Sequence, residues 1–324
     1  MRTTTMGAPL CRWVLALTLI LAVAPRAAWA EGLTKWRVGT PEASAFMFAV
    51  VDVGIKSGIF AKHGLDVERI DFQGGAKLQQ GIVSNSVEVT VAGSSDIQFL
   101  AKGVPALAVA EIAGPPVDMA LIVRADGSIT KPEQLKGAKI AVTTVGSLTD
   151  WLAREFARRQ GWGSDGVEPV AVGSIRAGTS ALLVKQVDAF VGSTENGLVL
   201  EHEGRAKILL DYGKVLPHFL THLMYASDAA MHDQPDALKR FIAGWFDTIA
   251  YMRAHKDRTV EIVSDAIKLP PEIVARAYDI DMIAITDKGN IDREAFAGLK
   301  QAVLPEDVRA KVTDAQLFTE KFLP

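Results

Sequence analysis

The chain has 324 residues, of which 49% are hydrophobic and 23% charged, with a formal net charge of −3 at pH 7. An acidic balance with no run of Lys or Arg gives nothing that would hold nucleic acid or an anionic membrane surface. Cys11 is the only cysteine, which excludes a disulfide and a Cys-based zinc site.

The first thirty residues read as an export signal. Arg2 and Arg12 precede an apolar run from Trp13 to Ala24, and Ala28-Trp29-Ala30 ends it with the small-x-small pattern of a cleavage site. The run is too short for a permanent membrane anchor. The mature chain is therefore expected to begin near Glu31, free of cysteine and more acidic than the precursor, as a monomer in the periplasm. It is long enough for two lobes.

From Lys35 to about Ala226 short apolar runs alternate with helical patterns. Strands are predicted at Trp36–Val38, Val67–Phe72, Val87–Ala92, Ala106–Ile112, Met119–Val123, Lys139–Thr143, Val167–Val172, Ala189–Val191, Lys207–Leu210 and His222–Ala226. Helices fall between them at Phe48–Ser57, Ala76–Ser84, Thr149–Gln160 and Gly178–Lys185. Such alternation predicts an α/β fold with mostly parallel sheets. After Pro235 the pattern turns helical. Leu238, Phe241, Ile242, Trp245, Phe246 and Ile249 form a stripe at spacings of three and four along a helix Pro235–Ala254. Thr259–Ile267 and Pro271–Tyr278 follow, with Pro271 suited to a first helical turn.

The chain also echoes itself. Ile82 to Val91 resembles Leu182 to Val191: a helix end, a tight turn, then an acidic residue (Glu88, Asp188) entering a buried strand. Asn85 suits the turn because Asn tolerates the left-handed backbone region. Gly93-Ser94-Ser95 follows one copy and Gly192-Ser193-Thr194 the other. Two lobes on one plan would bring equivalent loops face to face.

Several stretches carry a family resemblance. Gly54-Ile55-Lys56-Ser57-Gly58-Ile59-Phe60-Ala61-Lys62-His63-Gly64-Leu65-Asp66-Val67-Glu68 resembles the G-x-F-x-x-x-G-L-D-V-E signature of periplasmic solute-binding proteins of ABC importers of the nitrate/sulfonate/taurine type. Ala101 to Pro105, Lys131 to Val142, Gly146-Ser147, and Val187-Asp188-Ala189 with Glu195 match further pieces in the same order. The resemblance implies a type II periplasmic-binding-protein fold, two lobes closing on a cleft, with a helical C-terminal tail on lobe one. Lobe one would be 31–119 plus 227–324 and lobe two 120–226, crossing near Ala120–Arg124 and His222–Ala226. It further implies capture of a small solute and delivery to a membrane permease, with no catalysis and no cofactor. A periplasmic sensor subunit, or a pyrimidine-precursor enzyme or binder on the same fold, is the alternative.

Ligands of open α/β sheets sit beyond the carboxyl ends of strands. This rule points to Ser44 and Phe46 after the first strand, and to Gly93, Ser94 and Ser95 after the third. In lobe two it points to Thr144, Gly146 and Ser147, and to Ser193 and Glu195. Each has a plainer role open to it: Ser147 and Asp150 make a capping box, Ser94 and Ser95 are placed to cap, and Phe46 suits a core. Glu195 falls where the family has Glu-Pro, but Asn196 replaces the proline. Asp150 and Glu195 would repel a bare divalent anion, and no Lys or Arg lies in these loops, although Arg176 and Lys77 begin nearby helices. A small organic acid or zwitterion is therefore expected over nitrate or sulfate. His218 and His222 lie about 13 Å apart if extended, too far to share a metal. No Gly-x-Ser-x-Gly, His-Glu-x-x-His or phosphate-loop motif occurs.

Overall fold

The computed structural model describes residues 1–3 and 32–324; the segment 4–31, which carries the expected export signal and Cys11, lies outside the described residues. Ten strands form, each starting within two residues of its predicted start: β1 Thr34–Thr40, β2 Leu65–Asp71, β3 Val89–Gly93, β4 Ala106–Ala113, β5 Met119–Arg124, β6 Lys139–Val142, β7 Glu168–Ala171, β8 Ala189–Ser193, β9 Ala206–Asp211 and β10 His222–Ser227. They make two five-stranded sheets, ordered β2-β1-β3-β10-β4 and β7-β6-β8-β5-β9.

In the first sheet β1 runs parallel to β2 and β3, while β10 is antiparallel to β3 and β4. The second sheet repeats this arrangement, with β6 parallel to β7 and β8, and β5 antiparallel to β8 and β9. Exchanging β1 with β6, β2 with β7, β3 with β8, β4 with β9 and β10 with β5 turns one order into the other. The odd strand of each sheet is the one that arrives from the other lobe, which is why it runs backwards. This is the two-lobed periplasmic-binding-protein fold, with helices covering mixed sheets.

The internal echo has a backbone counterpart. Asn85 and Lys185 both adopt left-handed φ, 53° and 63°. The following residue donates back into the helix in each lobe, Ser86 N to Gly81 O and Gln186 N to Ala181 O. The acidic residues match too: Glu88 Oε2 accepts from Arg37 N at 2.7 Å and Asp188 Oδ2 from Lys139 N at 2.9 Å, each tying the turn to the parallel strand beside it, β1 and β6.

Ladder bonds correct one boundary. His222–Ala226 was expected to close lobe two, but β10 pairs only with β3 and β4 and so belongs to the first sheet. Met119, expected at the end of lobe one, opens β5 in the second sheet. The crossings are the connections before these strands, near 114–118 and 216–221. They run side by side, with Thr221 N donating to Ala113 O and Gly114 O.

Helix Pro235–Ala254 buries the predicted stripe against lobe one: Leu238, Phe241, Ile242, Trp245 and Ile249 have no exposure and Phe246 has 9%, and Met252 extends the stripe by one turn. Each such side chain contributes about 1.5–3 kcal/mol by leaving water. Phe241 stacks on Phe60 with centroids 5.2 Å apart. Helix Pro271–Asp281 reaches further, packing on the turn Phe46–Ala49 and on helix Thr194–His202 of lobe two. Among the described residues no helix is long and apolar enough to cross a membrane.

Candidate functional site

The two sheets point corresponding strand ends at each other and enclose a cavity of about 50 Å³. One water needs roughly 10–15 Å³, so the closed cleft has room for a compact solute. Lobe one lines it with Pro41, Glu42 and Ala45 after β1, Gly75, Gly93 and Asp96, and His222 at the start of β10. Lobe two supplies Thr143, Ser147, Leu148 and Thr149 after β6, Ile175, Ser193, and Met119 with Asp118 before β5.

The lobes touch where glycine permits. A Cβ on Gly93 would stand 2.6 Å from Leu148 Cβ, and one on Gly74, at φ 89°, 2.6 Å from Thr144 Cγ2. Hydrogen bonds also span the cleft. Glu42 Oε2 accepts from Ile175 N at 2.7 Å, at the start of helix Ile175–Leu183. In the opposite sense Glu195 Oε1 accepts from Phe46 N at 2.8 Å. Gln98 Nε2 donates to Gly146 O at 2.8 Å, Asn196 Nδ2 to Ser44 O at 3.3 Å, and Ala76 N to Thr144 Oγ1 at 3.3 Å.

Of the residues expected at the site, Gly93, Ser147 and Ser193 line the cavity. Ser147 Oγ is also committed locally: it accepts from Asp150 N as helix cap and donates to Thr144 O at 2.7 Å. Ser44 turns back to donate to Glu42 Oε1 at 3.0 Å. Phe46 is fully buried, edge-on to Tyr278 with centroids 6.2 Å apart. Ser94 Oγ donates to Leu220 O, and Ser95 Oγ is buried without a partner. Thr144 and Glu195 serve the cross-cleft bonds, and Gly146, at φ 79°, donates its N–H to Asp150 Oδ2 at 2.9 Å. Neither Arg176 nor Lys77 lines the cavity, and Lys77 Nζ donates to Gln73 Oε1 at 2.8 Å.

Glu42, Asp96 and Asp118 were not singled out from the sequence, and His222 was weighed only as a metal ligand with His218 and set aside. Asp118 and His222 flank the starts of antiparallel strands, which lie at the same sheet edge as the ends of parallel ones; a rule that looks only past strand ends overlooks them. Asp96 lies one residue beyond the expected Ser94-Ser95 pair, in the single helical turn Ser94–Asp96.

The cavity wall is acidic. Asp118 Oδ2 pairs with His222 Nε2 at 2.7 Å, both buried, and His222 Nδ1 has no partner. Phe48 meets the His222 ring edge-on at 5.5 Å. Asp96 Oδ2 accepts from Gln79 Nε2 at 2.7 Å. Burial pushes the Asp96 carboxyl up to about 7, against the Gln79 bond and nearby His222, which favour its ionised form. Burial also raises Glu195 to about 7, opposed by the Phe46 N–H and reinforced by Asp118. Asp281, buried beside Glu195 with neither oxygen hydrogen-bonded, is raised well above the usual range by burial and by these two acids. Despite this concentration of acids, no group of three or more His, Cys, Asp or Glu among the described residues is arranged to hold a metal ion.

A binding-protein designation attaches to a Brucella abortus (strain 2308) relative that is 25% identical over 289 residues, covering 89% of this chain and 83% of its own. Among solved structures, a protein of Bordetella bronchiseptica RB50 superposes with TM-score 0.79 at 23% identity, over 89% of this chain and 95% of the other. The alkanesulfonate-binding protein SsuA from Xanthomonas axonopodis pv. citri, bound to MOPS, gives 0.73 at 16% identity over 88% and 98%. The nitrate-binding protein NrtA from Synechocystis PCC 6803 gives 0.71 at 14% over 90% and 87%. Such neighbours are mostly binding proteins, although the desulfurization enzyme DszB shares the fold at TM-score 0.65 and 16% identity, over 89% and 97%. Residues 46–259, well over half of the sequence, match the model of one family. The two-lobed architecture and that match together place the chain in the NMT1/THI5-like family, to which it belongs.

Proposed function

We propose that this protein is the periplasmic solute-binding component of an ABC importer, capturing a small organic acid or zwitterion between its lobes and presenting the closed form to a membrane permease. The observation that carries the reading is the cavity at the meeting of two topologically equivalent sheets, with hydrogen bonds spanning the cleft. A ligand bridging both lobes favours the closed state by binding it better than the open one. The names of the sulfonate- and nitrate-binding neighbours support the same role. The expected export signal supports a periplasmic location.

Binding, not catalysis, is the chemistry these residues favour. Asp118 and His222 form the acid–base pair of the cavity, and among the described residues no side-chain hydroxyl is bonded to His222 Nδ1 for the pair to activate. The test is native mass spectrometry of the purified protein. A co-purifying small molecule should raise Tm when added back and reduce the radius of gyration, and loss of the gene should abolish its uptake. Absence of any bound molecule, with no stabilisation across a broad solute screen, would overturn the reading.

A further inference from the structure

Many of the donors that an anion would seek in this cleft are already used by the protein's own side chains. Ile175 N is taken by Glu42 and Ala177 N by Ser174 Oγ. Phe46 N is taken by Glu195, Gly146 N by Asp150 and Asp150 N by Ser147. Several of the N–H groups at helix starts, which make such sites attractive to anions, are therefore already satisfied in the closed form.

Acceptors remain. Asp96 and Asp118 line the cavity, and each has one carboxylate oxygen engaged, by Gln79 and by His222. The second oxygen of each, Oδ1, has no hydrogen-bond partner among the described residues. Asp96 Oδ1 lies beside Gly75, where an added Cβ would come within 3.0 Å of it. His222, 1% exposed, also lines the cavity and has an unpartnered Nδ1. With Nε2–H given to the Asp118 carboxylate, Nδ1 presents a lone pair. Glu42 adds negative potential, and neither Lys nor Arg lines the wall.

We infer that the cleft recognises its solute through a protonated nitrogen, a compact ammonium or amidinium group held by Asp96, Asp118 and His222, and not through an anionic group. This deepens the solute-binding reading and rests on it. An uncompensated anion would face the buried carboxyl groups of Asp96 and Asp118, and like charges away from bulk water repel strongly. A cation there would meet the free oxygens of Asp96 and Asp118 beside the His222 ring, and charge-assisted hydrogen bonds are the stronger kind.

The experiment compares propylammonium, acetamidinium and β-alanine with propionate, nitrate and ethanesulfonate by isothermal titration calorimetry on the full-length mature protein. It is paired with native mass spectrometry of the protein as purified. The nitrogen-bearing probes should bind at least tenfold tighter, with β-alanine over propionate as the cleanest pair, and Asp96→Asn should erase that preference. Asp118→Asn, read the same way, serves if the first variant does not fold. Equal or tighter binding of the amine-free acids overturns the inference and leaves the solute-binding reading intact. If no probe binds, the co-purified molecule decides: a basic nitrogen in its composition supports the inference, and its lack overturns it. No binding and no co-purified molecule overturns both.

Discussion

The lobes share a topology, a left-handed turn and a strand-entry acid, yet differ where they reach across the cleft. Strand pairing aligns Gly93 with Ser193, since each faces the first residue of its sheet's antiparallel strand. That register makes Ser95 the counterpart of Glu195, one position off the Gly-Ser match visible in the sequence. By the same alignment Glu42 corresponds to Thr144. Both reach over to the start of the helix that follows the neighbouring edge strand, Glu42 to Ile175 N and Thr144 to Ala76 N. At each pair of equivalent positions one lobe has a carboxylate and the other a hydroxyl. The duplicated plan thus fixes where a side chain projects, and the local residue decides whether the contact is charged.

The largest test of this arrangement is steric. Gly93→Ala places a methyl 2.6 Å from Leu148 Cβ, a distance that only separation of the lobes can relieve. Affinity for the co-purified solute should fall about a hundredfold, or about 2.7 kcal/mol, and the radius of gyration should stay at its open value with solute present. Unchanged affinity would mean that closure does not bring Gly93 against Leu148.

Next comes the comparison of Glu42 with Thr144. Glu42 accepts from Ala43 N, Ser44 N, Ser44 Oγ and Ile175 N; Gln supplies one acceptor oxygen where two are in use. Glu42→Gln should cost about 1–3 kcal/mol of unfolding free energy, the cost of leaving a buried donor unsatisfied. Thr144→Val loses one 3.3 Å bond at a half-buried site and should cost under about 1 kcal/mol. Chemical denaturation of both variants distinguishes them, and equal losses would show that the charged contact carries no special weight.

How much of this was legible beforehand follows the same division. Strands, helices and the duplicated turn were readable because each rests on local periodicity and turn chemistry. The backward strand in each sheet was not, because its direction is set by a crossing from the other lobe. The loops at the cleft follow from strand ends, but which side chain turns inward depends on competition within the loop. Ser44 is drawn to Glu42 and Ser94 to Leu220 O, and neither choice is written in the spacing of the chain. Asp118 and His222 meet only through the fold, 104 positions apart.

The buried acids give the comparison a pH dependence. Asp96 and Glu195 ordinarily titrate at 3.8 and 4.5, and in the folded protein at about 7. Between those values the native state holds protons that the unfolded chain has released, so stability falls as pH rises through this window and levels off above it. Asp281, raised for the same reason, adds to the same sign. Scanning calorimetry should give a Tm at pH 8 lower than at pH 5.5 by roughly 2–6 °C. Glu195→Gln, which has no proton to release, should reduce that slope, leaving the share of Asp96 and Asp281, whereas Ser95→Ala in the equivalent position should leave it alone. A Tm that rises over this range would contradict the burial of these carboxyls.

The smallest effect tests the duplicated turn. Asn85 and Lys185 occupy the same left-handed position, but Asn tolerates it and Lys does not, since a Cβ there crowds the following carbonyl at about 1–2 kcal/mol. Lys185 gains little in return: its ion pair with Asp126 spans 3.5 Å between side chains 66% and 64% exposed, a geometry worth little in water. Lys185→Gly should therefore stabilise by about 0.5–1 kcal/mol after the greater entropy of the unfolded glycine chain is counted. Asn85→Gly should change stability by less than half of that, because less strain is relieved and its side chain is not otherwise bonded. Urea midpoints measured side by side decide the matter. If the two substitutions gain equally, the turns are not under the same backbone constraint, and the equivalence of the lobes ends at their sheets.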